Sequence, residues 1–375
     1  MFSGSIRSEL NHVVRRTPTQ RADRMLLISG MSDRIPLSGV ADYARRVESL
    51  GYDILHVPET IHDSMTVSVL ALQATTRLRV QTSLTLAFPR SPMLLALQSW
   101  DASVTSGGRF DLGLATQIRQ NMEGRFGVSW SDPIARMSDY VTTVRTIWNA
   151  FSHGEPLDVR TASYTIDRLQ PFFSPGPLPH DPPTILLGGV NHGAIRLAGR
   201  VADWFVTHPT NSHPRFVREL AAPALAEVER LPNEPTRHAS SRPRRSSPVV
   251  TEPRSRRAER VSAASWRFFI RLPAYQRSLE MFGWPELGGR LRAMTRSGDW
   301  SGLGSLMSDE VLDTILPTAS WNELSGVLGD WYAGLVDGLL IQPPNDAALD
   351  DEFRSVLAAI GGITPRQAPD AKSST

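Results

Sequence analysis

The feature that most constrains the fold is an alternation of short apolar runs with longer amphipathic segments, which begins at Met25. The short runs are rich in Val, Ile, Leu or aromatic residues, and polar or glycine residues bound most of them, as expected for buried parallel strands. The predicted strands are residues 25–30, 52–57, 78–84, 109–115, 184–189, 203–208 and 336–342. Repeated strand–helix units imply a parallel sheet, either open or closed into a barrel.

The segments between these runs have helical spacing. Val40, Ala44 and Val47 recur on one face, and Gly51 follows as a stop signal. Ser91–Pro92 is a suitable N-cap and first-turn pair. About eight units are present, and no GxGxxG turn follows the first strand, so we predict a (β/α)₈ barrel rather than an open dinucleotide-binding sheet. In such a barrel, function lies on the loops after the carboxyl ends of the strands.

The seventh unit is atypical. Residues 231–257 are rich in Pro, Arg and Ser, and their only apolar pair is Val249–Val250. A central strand tolerates that composition poorly. Two interpretations remain open: a disordered insertion with the strand reduced to a stub near Val249, or a segment translated out of frame relative to the ancestral gene.

The remaining domain boundaries are predicted from patterning. We predict one barrel domain over 25–362, a disordered extension at 1–24, a helical insertion at 275–316 and a disordered tail at 363–375. The basic residues cluster unevenly, since 230–260 hold nine Arg and three Glu. Because aromatic residues do not interleave that stretch in the way that single-strand binders use, we expect no nucleic-acid partner.

Composition narrows the class of protein. The chain has 375 residues, 41% of them hydrophobic, and no cysteine. The lack of cysteine excludes disulfides, thiolate metal sites and a cysteine nucleophile, and no motif implies a metal. No apolar run reaches the roughly 18 residues of a membrane span, and the first residues lack an apolar signal segment. We expect a cytoplasmic protein with no membrane partner.

The loop sequences resemble the luciferase-like monooxygenase superfamily, and most of all its branch that uses the 5-deazaflavin coenzyme F420. The resemblance rests on YDILHVPETIHD after the second strand, SLTLAFPRSPM at the third and GGRFDLGLATQIRQNMEGRFGVSWSDPIARMSDYV around the fourth. It extends to ILLGGVNHGAIRLAGRVADWFVTHP, which is similar to the family's fifth strand, helix and sixth strand. The resemblance implies a TIM barrel of the bacterial-luciferase type with insertions.

The glycine-rich turn GGVNHG lies between a predicted strand and a helix. Small glycines let a phosphate approach the backbone, and free N–H groups with the helix dipole favour an anion there. The resemblance implies that this turn binds the cofactor phosphate, whereas an ordinary βα turn is the alternative. The residues concerned are Gly188, Gly189, Val190, Asn191 and His192.

The resemblance implies further cofactor contacts at three strand ends. Many deazaflavin-dependent members have a non-prolyl cis peptide and a bulge where this chain has Ser83 and Leu84. Thr116 and Gln117 are placed to hydrogen-bond the pyrimidine edge of the ring, and His208 faces the same mouth. The alternatives are a trans strand, loop hydrogen bonds and a structural histidine.

Acid/base candidates follow the second strand. Family members place an acidic or polar cofactor contact near Glu59 and Thr60, and some have a histidine directly after it. Here Thr60 takes that place and His62 lies two residues further on. We take Glu59, Thr60 and His62 as catalytic candidates. The alternative is that Glu59 caps the next helix and His62 is solvated.

The resemblance implies an oxidoreductase that exchanges hydride between C5 of coenzyme F420 and a small organic substrate. An FMN-dependent monooxygenase that uses reduced flavin and oxygen is the second hypothesis. A non-catalytic or decayed paralogue, suggested by the seventh unit, is the third. A homodimer is expected by analogy with the family.

Overall fold

The computed structural model describes residues 24–32, 34–208, 211–227, 245–247, 250–251, 275–299 and 319–366, with Leu306, Val311, Thr314, Ile315 and Pro317. Nearly all of the predicted extension, most of 231–257 and the last nine residues lie outside the described residues. No helix among the described residues is long and apolar enough to cross a membrane.

Short strands alternate with helices through the described chain, as the apolar pattern predicts. The strands are β1 Leu26–Gly30, β2 Ile54–Val57, β3 Arg79–Thr82, β4 Thr85–Leu86, β5 Phe110–Ala115, β6 Val159–Arg160, β7 Thr165–Ile166, β8 Ile185–Gly188, β9 Trp204–Val206, β10 Arg245–Ser247, β11 Val250–Thr251 and β12 Gly338–Ile341. The helices are α1 Val40–Leu50, α2 Ser64–Ala74, α3 Pro92–Ser106, α4 Arg119–Gly124, α5 Pro133–His153, α6 His192–Val201, α7 (Pro214–Phe216, a π-helical Val217–Ala221 and Ala222–Ala226), α8 Gln276–Met281, α9 Leu287–Arg296, α10 Trp321–Tyr332 and α11 Asp350–Gly361.

The main sheet is parallel and its two ends meet. Its order is β10–β9–β8–β5–β3–β2–β1–β12–β11, with β4 beside β5. Arg245 of β10 pairs with Trp204, and Val250 of β11 pairs with Leu340. Because Ser247 and Val250 are three residues apart, their Cα atoms lie within about 11 Å. Arg245–Ser247 and Val250–Thr251 therefore take the seventh barrel position as two short strands, and the TIM-barrel prediction is confirmed.

The strands separate two apolar cores, because successive side chains on a strand point to opposite faces. Outward side chains such as Leu55, Leu112 and Leu187 pack against the helices. The inward core consists of Ile28, Ile54, Leu186, Trp204 and Leu340, with Leu26, Leu84 and Val206 half-buried against it. The sheet therefore encloses a packed interior, with the mouth at the carboxyl ends of the strands.

The helix boundaries follow the predicted signals in part. Gly51 ends α1 in the left-handed region with φ 92°. Ser91 and Pro92 begin α3, but the Ser91 side chain makes no capping hydrogen bond. Asp63 caps α2, since its side chain accepts from Thr66 N. The alternative in which Glu59 caps this helix is therefore wrong.

The helical insertion packs around a small core of its own. Its buried apolar residues are Leu279, Leu287, Leu291, Val311 and Ile315. Tyr275 joins it to the barrel mouth through an edge contact with His208, with ring centroids 5.3 Å apart. At the other end of the chain, Arg366 N donates to Val336 O at 2.7 Å, so the start of the predicted tail packs against the barrel.

Candidate active site

The third strand position contains a bulge at the mouth. Gln81 pairs with Asp111 on β5, but Thr85 pairs with Leu114. Three residues, 82–84, therefore face two residues of β5, which leaves one extra residue on this strand. The peptide bond between Ser83 and Leu84 is cis. The bulge and the cis bond lie where the family resemblance implies them.

The extra residue turns Leu84 toward the barrel interior. A Cβ built on Gly113 would lie 2.9 Å from Leu84 Cδ2, and one built on Gly188 would lie 2.6 Å from Leu84 Cδ1. The Leu84 side chain thus spans two strands whose own side chains are absent at this level. With Val206 it gives the mouth a half-buried apolar floor.

Thr82 replaces the regular strand hydrogen bonds beside the bulge. Its Oγ1 accepts from Gly113 N at 2.8 Å and donates to Gly113 O at 2.9 Å. The Thr82 carbonyl oxygen would lie only 1.8 Å from a Cβ on Gly113. Glycine is therefore the residue that the bulge geometry requires at position 113.

Glu59 is held by three partners. Its carboxylate accepts from Leu86 N at 2.9 Å and from Ser64 Oγ at 3.1 Å, and it pairs with Arg90 at 2.8 Å. The side chain is 11% exposed. These contacts tie the β2–α2 loop to β4 and to the residues just before α3. The geometry favours a positioning role for Glu59, and its catalytic assignment stays a prediction.

Thr60 and His62 lie on the outer part of the same loop. Thr60 is exposed and its carbonyl oxygen accepts from Arg125 Nη2 at 3.3 Å, so this loop contacts the chain after α4. His62 is half-buried. The structure thus brings Glu59, Thr60 and His62 to one rim, with Glu59 innermost.

The end of β5 has an unusual backbone. Gln117 has φ 61°, in the left-handed region that non-glycine residues seldom occupy. Its Oε1 accepts from Ile118 N at 2.9 Å, and its carbonyl oxygen accepts from Thr116 Oγ1 at 3.2 Å. Because Oε1 is fixed in this way, the Gln117 amide N–H groups are the part of the side chain left to contact a ligand. Strained residues of this kind cluster at functional sites.

The β8–α6 turn is built for close approach. A Cβ on Gly189 would lie 2.9 Å from Ala194 Cβ, so the turn packs tightly on the first turn of α6. Asn191 caps α6 by accepting from Ala194 N at 2.9 Å. His192 Nε2 lies 3.1 Å from Glu227 Oε1. The side chains of Asn191 and His192 are therefore committed to the protein, and the backbone N–H groups are what the turn offers to an anion.

His208 follows β9 at the mouth and is half-buried. Desolvation lowers its pKa to about 4, so the imidazole is neutral at pH 7. Its position beneath Tyr275 joins the helical insertion to the rim.

A buried polar row was not predicted from the sequence. His56 Nε2 lies 2.9 Å from Gln81 Oε1, and Gln81 Nε2 donates to Asp111 Oδ2 at 3.0 Å. Arg79 pairs with Asp111 at 2.8 Å. Burial lowers the pKa of His56 to about 4. The available signal was His56 itself, a polar residue at an inward position of an otherwise apolar strand.

At the upper level of the barrel, three strands present glycine in place of an inward side chain, and Leu84 and Gln342 take up the room beside them. Gly30, Gly113 and Gly188 occupy inward positions on β1, β5 and β8. Leu84 forms an apolar floor, and polar groups of Gln117 and the β8–α6 turn lie around the rim. A flat, partly apolar ring with a polar edge and an attached phosphate fits this arrangement. Among the described residues, no group of three or more His, Asp or Glu side chains is arranged to hold a metal.

Comparison with known proteins agrees with this architecture. A model of the luciferase-like monooxygenase family matches residues 16–338. An uncharacterised protein of Mycobacterium tuberculosis is 32% identical over 310 residues, which cover 81% of this chain and 89% of that protein.

Two solved structures are similar in fold. The coenzyme F420-dependent tetrahydromethanopterin reductase of Methanopyrus kandleri has a TM-score of 0.68 at 13% identity, covering 91% of this chain and 98% of that one. The FMN-bound oxygenating constituent of 3,6-diketocamphane monooxygenase from Pseudomonas putida has a TM-score of 0.57 at 16% identity, covering 93% and 100%. At these identities the likeness shows the fold, which both cofactor classes share.

Proposed function

This chain belongs to the luciferase-like monooxygenase family of oxidoreductases, and on that premise we propose that it is an F420-dependent oxidoreductase. The observation that carries the proposal is the bulge at residues 82–84, which places Leu84 as an apolar floor across Gly113 and Gly188. A planar deazaflavin gains most from an apolar surface on one face and polar groups at its edge.

The described residues fit the parts of this cofactor. Leu84 and Val206 would support one face of the ring, and Thr116 and the Gln117 amide would contact its edge. The backbone N–H groups of the turn from Gly188 to His192 would hold the phosphate, helped by the amino end of α6. When bound, the deazaflavin supplies hydride exchange at C5, and the protein supplies orientation and electrostatics.

The chain's own groups divide into two roles at the mouth. Glu59 holds the β2–α2 loop against β4 through Leu86 N and Arg90. This loop in turn fixes the position of Thr60 and His62. We assign proton transfer to His62, which is half-buried on the rim, and a hydrogen-bonding role to the Thr60 hydroxyl.

A cofactor titration of the full chain tests the proposal. We expect saturable quenching of F420 fluorescence and no saturable response with FMN. Saturable binding of FMN alone would support the monooxygenase hypothesis, which the FMN-bound Pseudomonas putida relative favours. A folded protein that binds neither cofactor would support a decayed paralogue.

Two leucine variants make the test specific to the floor. Leu84→Ala removes the surface beneath the ring and is expected to weaken cofactor binding by about tenfold. Leu349→Ala is the matched control, because Leu349 lies just before α11 and is 39% exposed. Equal affinities for the two variants would contradict the proposed ring position.

We also propose that the protein acts on a small molecule and lies in the cytoplasm. We further propose that it forms a homodimer, with α2 and α3 as the interface. The outward faces of these helices expose Val69, Leu70, Leu94 and Val104. Exposed apolar side chains on two neighbouring helices are a feature that protein interfaces use. Sedimentation of the wild-type chain and of Leu70→Glu is expected to show a dimer and a monomer, respectively, and a wild-type monomer would contradict this interface. Cell fractionation checks the location.

A further inference from the structure

The polar row inside the barrel fixes the hydrogen positions of His56. Arg79 forms two hydrogen bonds with the Asp111 carboxylate, and the Gln81 amide N–H donates to the same carboxylate. An ionised carboxylate only accepts, so Gln81 must present its carbonyl oxygen to His56. His56 Nε2 therefore carries the hydrogen, and Nδ1 is an unprotonated acceptor.

Nδ1 of His56 is buried and has no hydrogen-bond partner among the described residues. The whole side chain is only 3% exposed. Buried acceptors are nearly always paired with protein or water, so an acceptor without a protein partner marks a place for a water or for a ligand that donates a hydrogen bond. His56 lies on the inward face of β2, one residue before the strand ends at the mouth.

The side chain of Gln342 lies over the residue that pairs with His56. His56 pairs in register with Gly30 of β1, about 4.8 Å away across the strands. The space that a Gly30 side chain would fill is taken by Gln342, whose Nε2 lies 2.5 Å from the position of the absent Cβ. Gln342 is half-buried at the mouth.

The hold on Gln342 is slight. Its Oε1 lies 3.3 Å from Tyr43 Oη, but Tyr43 already donates to Gly30 O at 2.8 Å. One hydroxyl hydrogen cannot serve both acceptors well. Rotation of the Gln342 side chain away from Gly30 would therefore uncover the strand position beside His56 at little cost in hydrogen bonding.

We propose that His56 Nδ1 is a specificity-determining acceptor that selects ligands with an O–H or N–H donor, and that Gln342 covers it until such a ligand enters. The inference deepens the proposed function by naming the substrate class as hydroxyl- or amine-bearing small molecules. A ligand with only acceptors at the same place, such as a ketone or an ether, leaves Nδ1 unpaired and binds more weakly.

NMR of the full chain with ¹⁵N-labelled histidine tests the first step. His56→Gln identifies the His56 signals by their loss, and His153→Gln, at an exposed residue on α5, is the control for general shifts. We expect the Nε2–H tautomer with an unprotonated Nδ1 at pH 7. A protonated Nδ1 would overturn the inference.

Cyclohexanol and cyclohexanone test the second step, because they differ chiefly in the donor. We expect cyclohexanol to shift the Nδ1 signal saturably and cyclohexanone to leave it unchanged. His56→Phe is expected to weaken cyclohexanol binding about tenfold and to leave cyclohexanone unaffected. Gln342→Ala, which keeps the polar row intact, is expected to strengthen cyclohexanol binding.

An equal shift of the Nδ1 signal with cyclohexanol and cyclohexanone would overturn the inference. So would the absence of any shift with either probe, whether or not cofactor is present. A buried water would then be the partner of Nδ1. Cofactor binding is followed separately by fluorescence. A selective cyclohexanol shift in a protein that binds no cofactor would uphold this site and refute the proposed function. Cofactor binding without the selective cyclohexanol shift would uphold the proposed function and refute this site.

Discussion

The two sides of the barrel interior are built on different physical principles. On β8, β9 and β12, the inward side chains are apolar, as Leu186, Trp204 and Leu340 show. On β2, β3 and β5, the upper inward positions form the row from His56 through Gln81 to Asp111. The apolar side depends on volume and tolerates similar shapes, whereas the polar side depends on every partner being present.

The largest effect is expected from Asp111→Asn. The substitution leaves the Arg79 charge without its buried partner and removes the carboxylate that orients Gln81. We expect a loss of about 3–5 kcal/mol in the free energy of unfolding, measured by denaturant titration. Leu186→Ala on the apolar side is expected to lose about 2–5 kcal/mol without altering the His56 tautomer. An altered tautomer in Leu186→Ala would show that the two sides are coupled.

Gly113→Ala tests the boundary between the two sides. The added Cβ would lie 1.8 Å from the Thr82 carbonyl oxygen, so the backbone of the bulge must move. We expect a loss of about 3 kcal/mol in unfolding free energy and loss of cofactor binding. Gly326→Ala on α10, where nothing lies within 4 Å, is the control and is expected to be neutral or stabilising by up to about 1 kcal/mol. Similar melting curves for the two variants would contradict the bulge geometry.

The pH dependence of stability gives a further test of the polar side of the barrel interior, because His56 lies there. The unfolded chain protonates His56 near its ordinary pKa of about 6.5, whereas the folded chain does so only near pH 4. Stability is therefore full above pH 6.5 and falls as the pH drops toward 4. His56 contributes on the order of 2 kcal/mol to this loss, and His208 acts in the same direction. Denaturant titrations at pH 7 and pH 4.5 measure it, and an unchanged difference in His56→Gln would exclude His56 as a source.

The smallest effect is expected at the rim. Glu59→Gln keeps the shape of the side chain but removes the charge that faces Arg90 and one acceptor from the loop. We expect a loss of about 1–2 kcal/mol and weaker cofactor binding. Glu123→Gln, in an exposed pair with Arg119, is the control and is expected to change stability by less than about 0.5 kcal/mol. If both variants keep wild-type cofactor affinity, Glu59 has no positioning role.

The sequence was sufficient where structure depends on local periodicity. The seven predicted strands and the Gly51 helix stop are confirmed, because apolar spacing and backbone preference act within a few residues. The family resemblance, rather than any pattern in the residues, supplied the cis peptide at Ser83–Leu84.

The sequence was insufficient where partners come from distant parts of the chain. Glu59 was predicted as a catalytic candidate with helix capping as the alternative, but Asp63 is the cap, and the contacts of Glu59 with Arg90 and Leu86 N were not foreseen. The row from His56 to Arg79 depends on cross-strand register, which single-strand patterns do not reveal. In the seventh unit, the strand residues Arg245–Ser247 carry no apolar pattern at all.

The single extra residue at positions 82–84 determines which of the following residues point into the barrel and which point toward the helices. Side chains on a regular strand alternate between faces, but the bulge interrupts this alternation, so Gln81 and Leu84 both point inward although they are three residues apart. Thr85 consequently reaches outward to Ser64 of α2, at 2.8 Å, and Leu84 turns inward. If the same residues continued as a regular strand without the bulge, Leu84 would point at the helices and Thr85 into the barrel. The bulge therefore decides on which face of the sheet each later side chain lies, a constraint that does not apply to the surface loops.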